Sequence, residues 1–240
     1  MGAVFTERWL PISFLKSLKV AMKNKLIIAL SLSAVVLVVL IVFLVVKGKS
    51  GKDNHGYINS PTTTENEELV MDPFLSSEAI TEDFLTVNEY SRPGDELKKV
   101  NGVVVHYVGN PGTSAKNNRN YFENLKDTHE RSASSHYIIG LQGEILQCIP
   151  LDEIAYASNN RNSDTIAIEC CHPDSTGEFN SYTYESLVKL TAALCKSYGL
   201  NPLTDVIRHY DVTGKACPLY FVENENEWRY FILQVISEME

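Results

Sequence analysis

Residues 206–218 read VIRHYDVTGKACP, which sets His209 and Cys217 eight positions apart, with Lys215 two before the thiol. A neutral imidazole and a thiolate are good zinc ligands, and a third protein ligand from elsewhere would leave the fourth tetrahedral corner open. That open corner separates a catalytic metal site from a structural clip.

Two further residues have an unusual setting. His106 ends the Val-rich run GVVVH and is followed by YVGNPG, a turn that stops a strand and opens space beyond it. A lone strand histidine is usually a satisfied core residue, but His209 ends VIRH in the same way, so neighbouring strands could bring the two rings together. Glu169 lies in TIAIECC, where alternation puts it on one face with Ala167 and Cys171. A carboxylate there needs a partner, because a lone buried charge is costly. Either an ion pair with an arginine or a chemical role satisfies that demand. His136 and His172 compete as ligands, and periodicity does not choose among them.

The elements that must hold these residues follow from local pattern. Residues 103–108 predict a buried strand, 118–129 a helix, and 136–139 and 144–149 two strands joined by a Gly-Leu-Gln-Gly turn. Residues 165–171 predict a strand. Thr183 is the expected cap of a long helix that ends at Gly199, with Pro202 beyond it. A short strand at 205–208 and a helix at 224–236 complete the chain. Interleaved strands and helices predict an α/β fold: a mixed central sheet flanked by helices on both faces. The five cysteines are odd in number and four fall within apolar elements, so they do not read as a disulfide framework, though a bridge from Cys148 to Cys170 or Cys171 stays open. Cys195 reads as a small core residue.

Four segments, GVVVHYVGNPG, SSHYIIG, TIAIE and RHYDVTGKACP, occur in an order and at a spacing that resemble the zinc-dependent N-acetylmuramoyl-L-alanine amidases. That superfamily includes the phage T7-type lysozyme amidase and the peptidoglycan recognition proteins. NEYSRPG at 88–94 and the tail at 222–228 are most similar to the amidase domains of Gram-positive bacteria and their phages. The resemblance implies one zinc ion held by His106, His209 and Cys217, with Lys215 as a catalytic lysine. Some members use a tyrosine directly before the His-aromatic-Ile-Ile strand, where this chain has Ser135, and others a glutamate on the later strand. The departure at Ser135 moves the general acid–base role to Glu169. The same matching makes His136 a strand residue and not a ligand.

The implied reaction is hydrolysis of the amide between N-acetylmuramic acid and L-alanine, with peptidoglycan as partner, in remodelling or lysis of the wall. Two other readings are a peptidoglycan binder of the same fold that does not cut, and a cysteine peptidase using a histidine-activated thiolate. The first typically lacks the cysteine ligand; the second leaves Lys215 and Glu169 without a task. Substrate-cleft residues are not legible, and Asn110 and Arg161 are candidates by location alone.

The remainder of the chain predicts where such a domain would work. Residues 26–46 contain no charge, proline or glycine, and as a helix would measure about 31 Å at ~1.5 Å per residue, enough for a bilayer core of ~30 Å. The run ends in Lys-Gly-Lys without a small-residue cleavage site, so it reads as a single uncleaved transmembrane helix. Five basic residues precede it and three follow closely, which puts the N-terminal residues 1–25 in the cytoplasm and the rest outside. Residues 47–85 read as a flexible linker and 86–240 as one catalytic domain, expected to be monomeric. From residue 53 onward there are 13 basic and 29 acidic side chains, a net of about −16, which argues against nucleic acid as a partner.

Overall fold

The computed structural model describes residues 69–240. The basic stretch at 1–25, the apolar run at 26–46 and most of the expected linker lie outside the described residues. Among the described residues, no helix is long and apolar enough to cross a membrane.

Six strands form one mixed sheet: β1 (Ile80–Glu82), β2 (Gly102–Tyr107), β3 (Tyr137–Ile139), β4 (Ile145–Gln147), β5 (Thr165–Cys170) and β6 (Val206–Arg208). Their order is β1-β4-β3-β5-β2-β6, and every neighbouring pair is parallel except β3 with β4, the hairpin expected around Gly140 to Gly143. The helices are α1 (Ala115–Thr128), α2 (Ser181–Tyr198), α3 (Pro202–Asp205), α4 (His209–Thr213), α5 (Leu219–Glu223) and α6 (Glu225–Met239).

Alternation along the central strands divides the core in two. Val103 and Val105 of β2, with Ile166, Ile168 and Cys170 of β5, pack against Leu187, Leu190 and Leu194 of α2 and Phe231 and Val235 of α6. On the other face Phe122 and Leu125 of α1 cover Ile138, Cys148, Ile149 and Cys171. Both faces are therefore covered, as parallel strands require. All five cysteines are free and buried, which removes the bridge left open above.

Local chemistry sets the boundaries. The α1 helix begins three residues before the expected start because Ser114 caps it, accepting from the Asn117 N–H. The cap of α2 is Asn180, which accepts from the Thr183 N–H, and not Thr183, whose hydroxyl donates to the Gly140 carbonyl. Gly199 closes α2 at φ 63°, as a left-handed C-cap requires. At Gly102 a β-carbon would lie 2.6 Å from the Asp205 carbonyl, so only glycine lets β2 run this close to the entry of β6.

The expected linker ends too late. Pro73–Ser76 form a 3-10 turn and Ile80–Glu82 are the edge strand β1, paired with Ile145 to Gln147. Residues this short and half-exposed have no periodicity to read; tertiary partners order them. The Asp72 N–H donates to Ser197 Oγ on α2, Arg119 donates to the carbonyls of Asp83 and Phe84, and Glu123 accepts from both the N–H and the hydroxyl of Thr86.

Candidate metal centre

Parallel register places His106 directly opposite Glu169, one on β2 and one on β5. Both project to the face opposite Val105 and Ile168, beyond the apolar layer that α1 covers. On the other side of β2 the partners Val105 and Arg208 are the last of the β2–β6 ladder, so His209, the next residue, emerges beside His106. The two rings lie 4.6 Å apart, centroid to centroid.

Arg208 makes that turn rigid. Its guanidinium donates to both oxygens of Asp211, to Glu225 and to the Phe221 carbonyl, and it stacks over Tyr210 and Trp228 at 5.4 Å from each ring. A planar five-donor fork can satisfy all of these at once. The loop then returns, and the Tyr210 N–H donates to the Cys217 carbonyl at 2.9 Å. That bond closes the segment between His209 and Cys217 and brings the thiol beside β2: Cys217 Sγ is 3.9 Å from His106 Nδ1.

One ligand atom from each of His106, His209 and Cys217 lies within 4.8 Å of the other two, and all three residues are buried. Ligands around one zinc are separated by roughly 3.5 Å given bond lengths of ~2.0–2.3 Å, so a modest side-chain closure would let these three residues hold one ion. Two imidazoles and one soft thiol suit zinc better than magnesium or calcium, which prefer oxygen. A second observation favours a cation nearby. Glu169 Oε2 is buried without a hydrogen-bond partner among the described residues, and its Oε1 is 4.0 Å from His106 Nδ1.

That last pair is not an ion pair. Burial, aided by the charges of His209 and Lys215, pushes the His106 imidazole well below its usual value. Burial likewise raises the Glu169 carboxyl to about 8, against the pull of Lys215. His209 is lowered by burial and by Lys215. The Cys217 thiol is pushed up to about 12 by burial and the Glu169 charge, against the Tyr107 N–H and Lys215. Neutral imidazoles are ready to bind metal, whereas the thiol must give up a proton to do so. Lys215 is exposed, and its positive charge favours the deprotonated form of all four groups.

The competing histidines are occupied elsewhere. His136 accepts the Ala167 N–H at Nδ1 and donates from Nε2 to the Glu153 carbonyl, so neither nitrogen is free. Both ring nitrogens of His172 face backbone carbonyls, those of Asp174 and Val108. Ser135 is buried with its hydroxyl between the carbonyls of Tyr137 and Ala167. Of the two cleft candidates, Asn110 is exposed in the turn after β2. Arg161 instead pairs with Asp164 and lies beside Gly102, at the opposite end of β2 from His106. The sequence reading missed Ser158 and Asn159, which meet His106 at 3.1 Å and His209 at 3.3 Å. They lie at the start of a short 3-10 turn, Asn159–Arg161, in a polar stretch before β5 where no periodicity marks them.

A mixed sheet with a His-His-Cys cluster and a buried carboxyl near the strand ends defines a class of α/β protein whose side chains could hold a metal ion beside a carboxyl group. The comparisons narrow that class. A family model described as N-acetylmuramoyl-L-alanine amidase matches residues 96–219, and the chain belongs to that family. It is 36% identical over 171 residues to the N-acetylmuramoyl-L-alanine amidase CwlL of Bacillus licheniformis, covering 66% of this chain and 47% of the relative. It is 34% identical over 179 residues to the N-acetylmuramoyl-L-alanine amidase BlyA of Bacillus subtilis (strain 168), with the same coverages. The chain thus spans about half the length of the curated relatives it matches. Among solved structures, the catalytic domain of XlyA is similar with a TM-score of 0.55 and 24% identity, over 65% of this chain and 98% of that one. PlyL is similar with a TM-score of 0.56 and 24% identity, over 65% and 96%. These two likenesses bear on the fold.

Proposed function

We propose that this protein is a zinc-dependent N-acetylmuramoyl-L-alanine amidase that hydrolyses the amide between N-acetylmuramic acid and the L-alanine of the stem peptide in peptidoglycan. The observation that carries the reading is the convergence of His106, His209 and Cys217 beside Glu169, in a chain of this family.

Zinc, when bound, supplies Lewis acidity that polarises a carbonyl and brings the pKa of water to roughly 7. The protein's own groups do the rest. Glu169 takes the proton of the attacking water on its carboxylate and later delivers it to the leaving amine. Its elevated proton affinity, from burial, suits both halves of that task near neutral pH. Lys215, which is exposed and whose charge reaches the cluster, stabilises the oxyanion of the tetrahedral intermediate, a contribution of about 3–4 kcal/mol.

The test is hydrolysis of purified peptidoglycan, read as new N-terminal alanine. Activity should vanish with a strong chelator and return with zinc. A chain that binds zinc and peptidoglycan but liberates no alanine amine would instead be a recognition protein.

The setting is part of the same reading. Residues 26–46 anchor the chain in the cell membrane as one helix, with 1–25 cytoplasmic and the catalytic domain outside, where wall polymer is found; the apolar run and the flanking basic residues support this. The tether would be the part of the expected linker, residues 47–85, that precedes Pro73–Ser76 and β1, and the catalytic unit would be monomeric. Protease protection of the C-terminal domain in intact cells would contradict this orientation.

A further inference from the structure

We infer that Ser158 and Asn159 are positioning residues that decide which ring nitrogen His106 and His209 present to the metal, an inference that rests on the zinc reading above. A metal-binding imidazole donates its second ring N–H to an acceptor that fixes tautomer and orientation. Here two consecutive residues supply both acceptors. His106 Nε2 lies 3.1 Å from Ser158 Oγ, and with the ring proton directed at that hydroxyl the free nitrogen is Nδ1, which faces Cys217 Sγ at 3.9 Å. His209 Nε2–H donates to Asn159 Oδ1 at 3.3 Å, which again leaves Nδ1. One dipeptide thereby sets the same tautomer in two ligands, one on β2 and one at the start of α4.

The backbone is arranged to do this. Asn159 has φ 53°, in the left-handed region that asparagine tolerates better than most residues, and this aims its carboxamide at His209 while Ser158 points at His106. The Asn162 carboxamide oxygen accepts the N–H groups of both Ala157 and Ser158, and the Arg161 N–H donates to the Ser158 carbonyl. The loop is therefore braced from within. Ser158 is buried and Asn159 exposed, so water can replace the second acceptor more readily than the first.

The experiment measures zinc affinity of the purified full chain by competition with a chromophoric chelator. Ser158→Ala should weaken zinc binding toward 100-fold and Asn159→Gly nearer 10-fold, the range for lost outer-shell partners. Glycine is chosen because it accepts the left-handed conformation without strain. Asn159→Asp, which keeps an acceptor, should restore affinity. Independently, nitrogen NMR of the zinc-loaded wild type should show both ligand rings metallated at Nδ1 and protonated at Nε2. Variants that bind zinc like the wild type, or a ring metallated at Nε2, would overturn the inference. A wild-type chain that takes up no zinc would bring down the metal reading itself, and this inference with it.

Discussion

His106 and Glu169 are register partners on adjacent parallel strands, with Nδ1 4.0 Å from Oε1 and the other carboxyl oxygen buried and unbonded among the described residues. The sheet itself thus sets the spacing between a candidate ligand and a candidate acid–base group. Glu169→Gln preserves shape but removes the proton carrier. Turnover on muropeptide should fall by about 10²–10⁴-fold, while zinc content stays at the wild-type level. Wild-type turnover in this variant sinks the role.

Cys217→Ser replaces a soft ligand by a hydroxyl that resists deprotonation. Metal content and activity should both be lost, and excess zinc should restore little. Because the buried thiol holds its proton up to about 12 without a cation, zinc uptake by the wild type should release a proton and tighten as pH rises. A pH-independent zinc affinity would contradict ligation by this thiol.

Lys215→Met keeps length and removes charge. A drop of roughly 10²–10³-fold in kcat is expected from the lost oxyanion partner, with zinc affinity unchanged or higher, since a nearby cation is gone. A variant impaired only in KM would show that Lys215 binds substrate without acting on the intermediate.

Arg208 holds the start of α4, and with it His209, through Asp211, Glu225 and the Phe221 carbonyl. Arg208→Lys cannot reproduce the planar fork. It should lower the thermal midpoint and weaken zinc binding in parallel. Unchanged melting would mean the network is dispensable.

His136 is buried as a neutral ring, and burial, opposed by the Glu153 carbonyl and its charge, holds it down to about 4. The unfolded ring titrates near ~6.5. Between those values the unfolded chain binds the extra proton, so stability falls as pH drops from about 6.5 and this loss levels off below about 4. Denaturant melts across that window should show the decline, and His136→Gln should flatten it. An equally steep decline in the variant would assign the effect to other groups.

Much of the candidate site was legible in residues alone. Strand-ending histidines, a carboxylate in an apolar strand and a Lys-Ala-Cys run after a turn are local signals, because alternation and turn chemistry act over a few residues. The boundaries that moved were those set by single capping bonds, at Ser114 and Asn180, or by distant partners, as for Pro73–Ser76 and β1.

By itself the sequence determined the α/β pattern, the residue types able to hold a metal, and the family resemblance. Strand order was decided only in three dimensions. Adjacency of β5, β2 and β6 sets Glu169, His106 and His209 side by side, a result of long-range pairing that no local period encodes. Tertiary structure also separated candidate ligands from satisfied histidines, since both ring nitrogens of His136 and His172 meet backbone groups whereas those of His106 meet side chains. It likewise placed Ser158 and Asn159 beside His106 and His209, because a hydrogen bond across 52 or 50 residues of chain exists only once the sheet has formed.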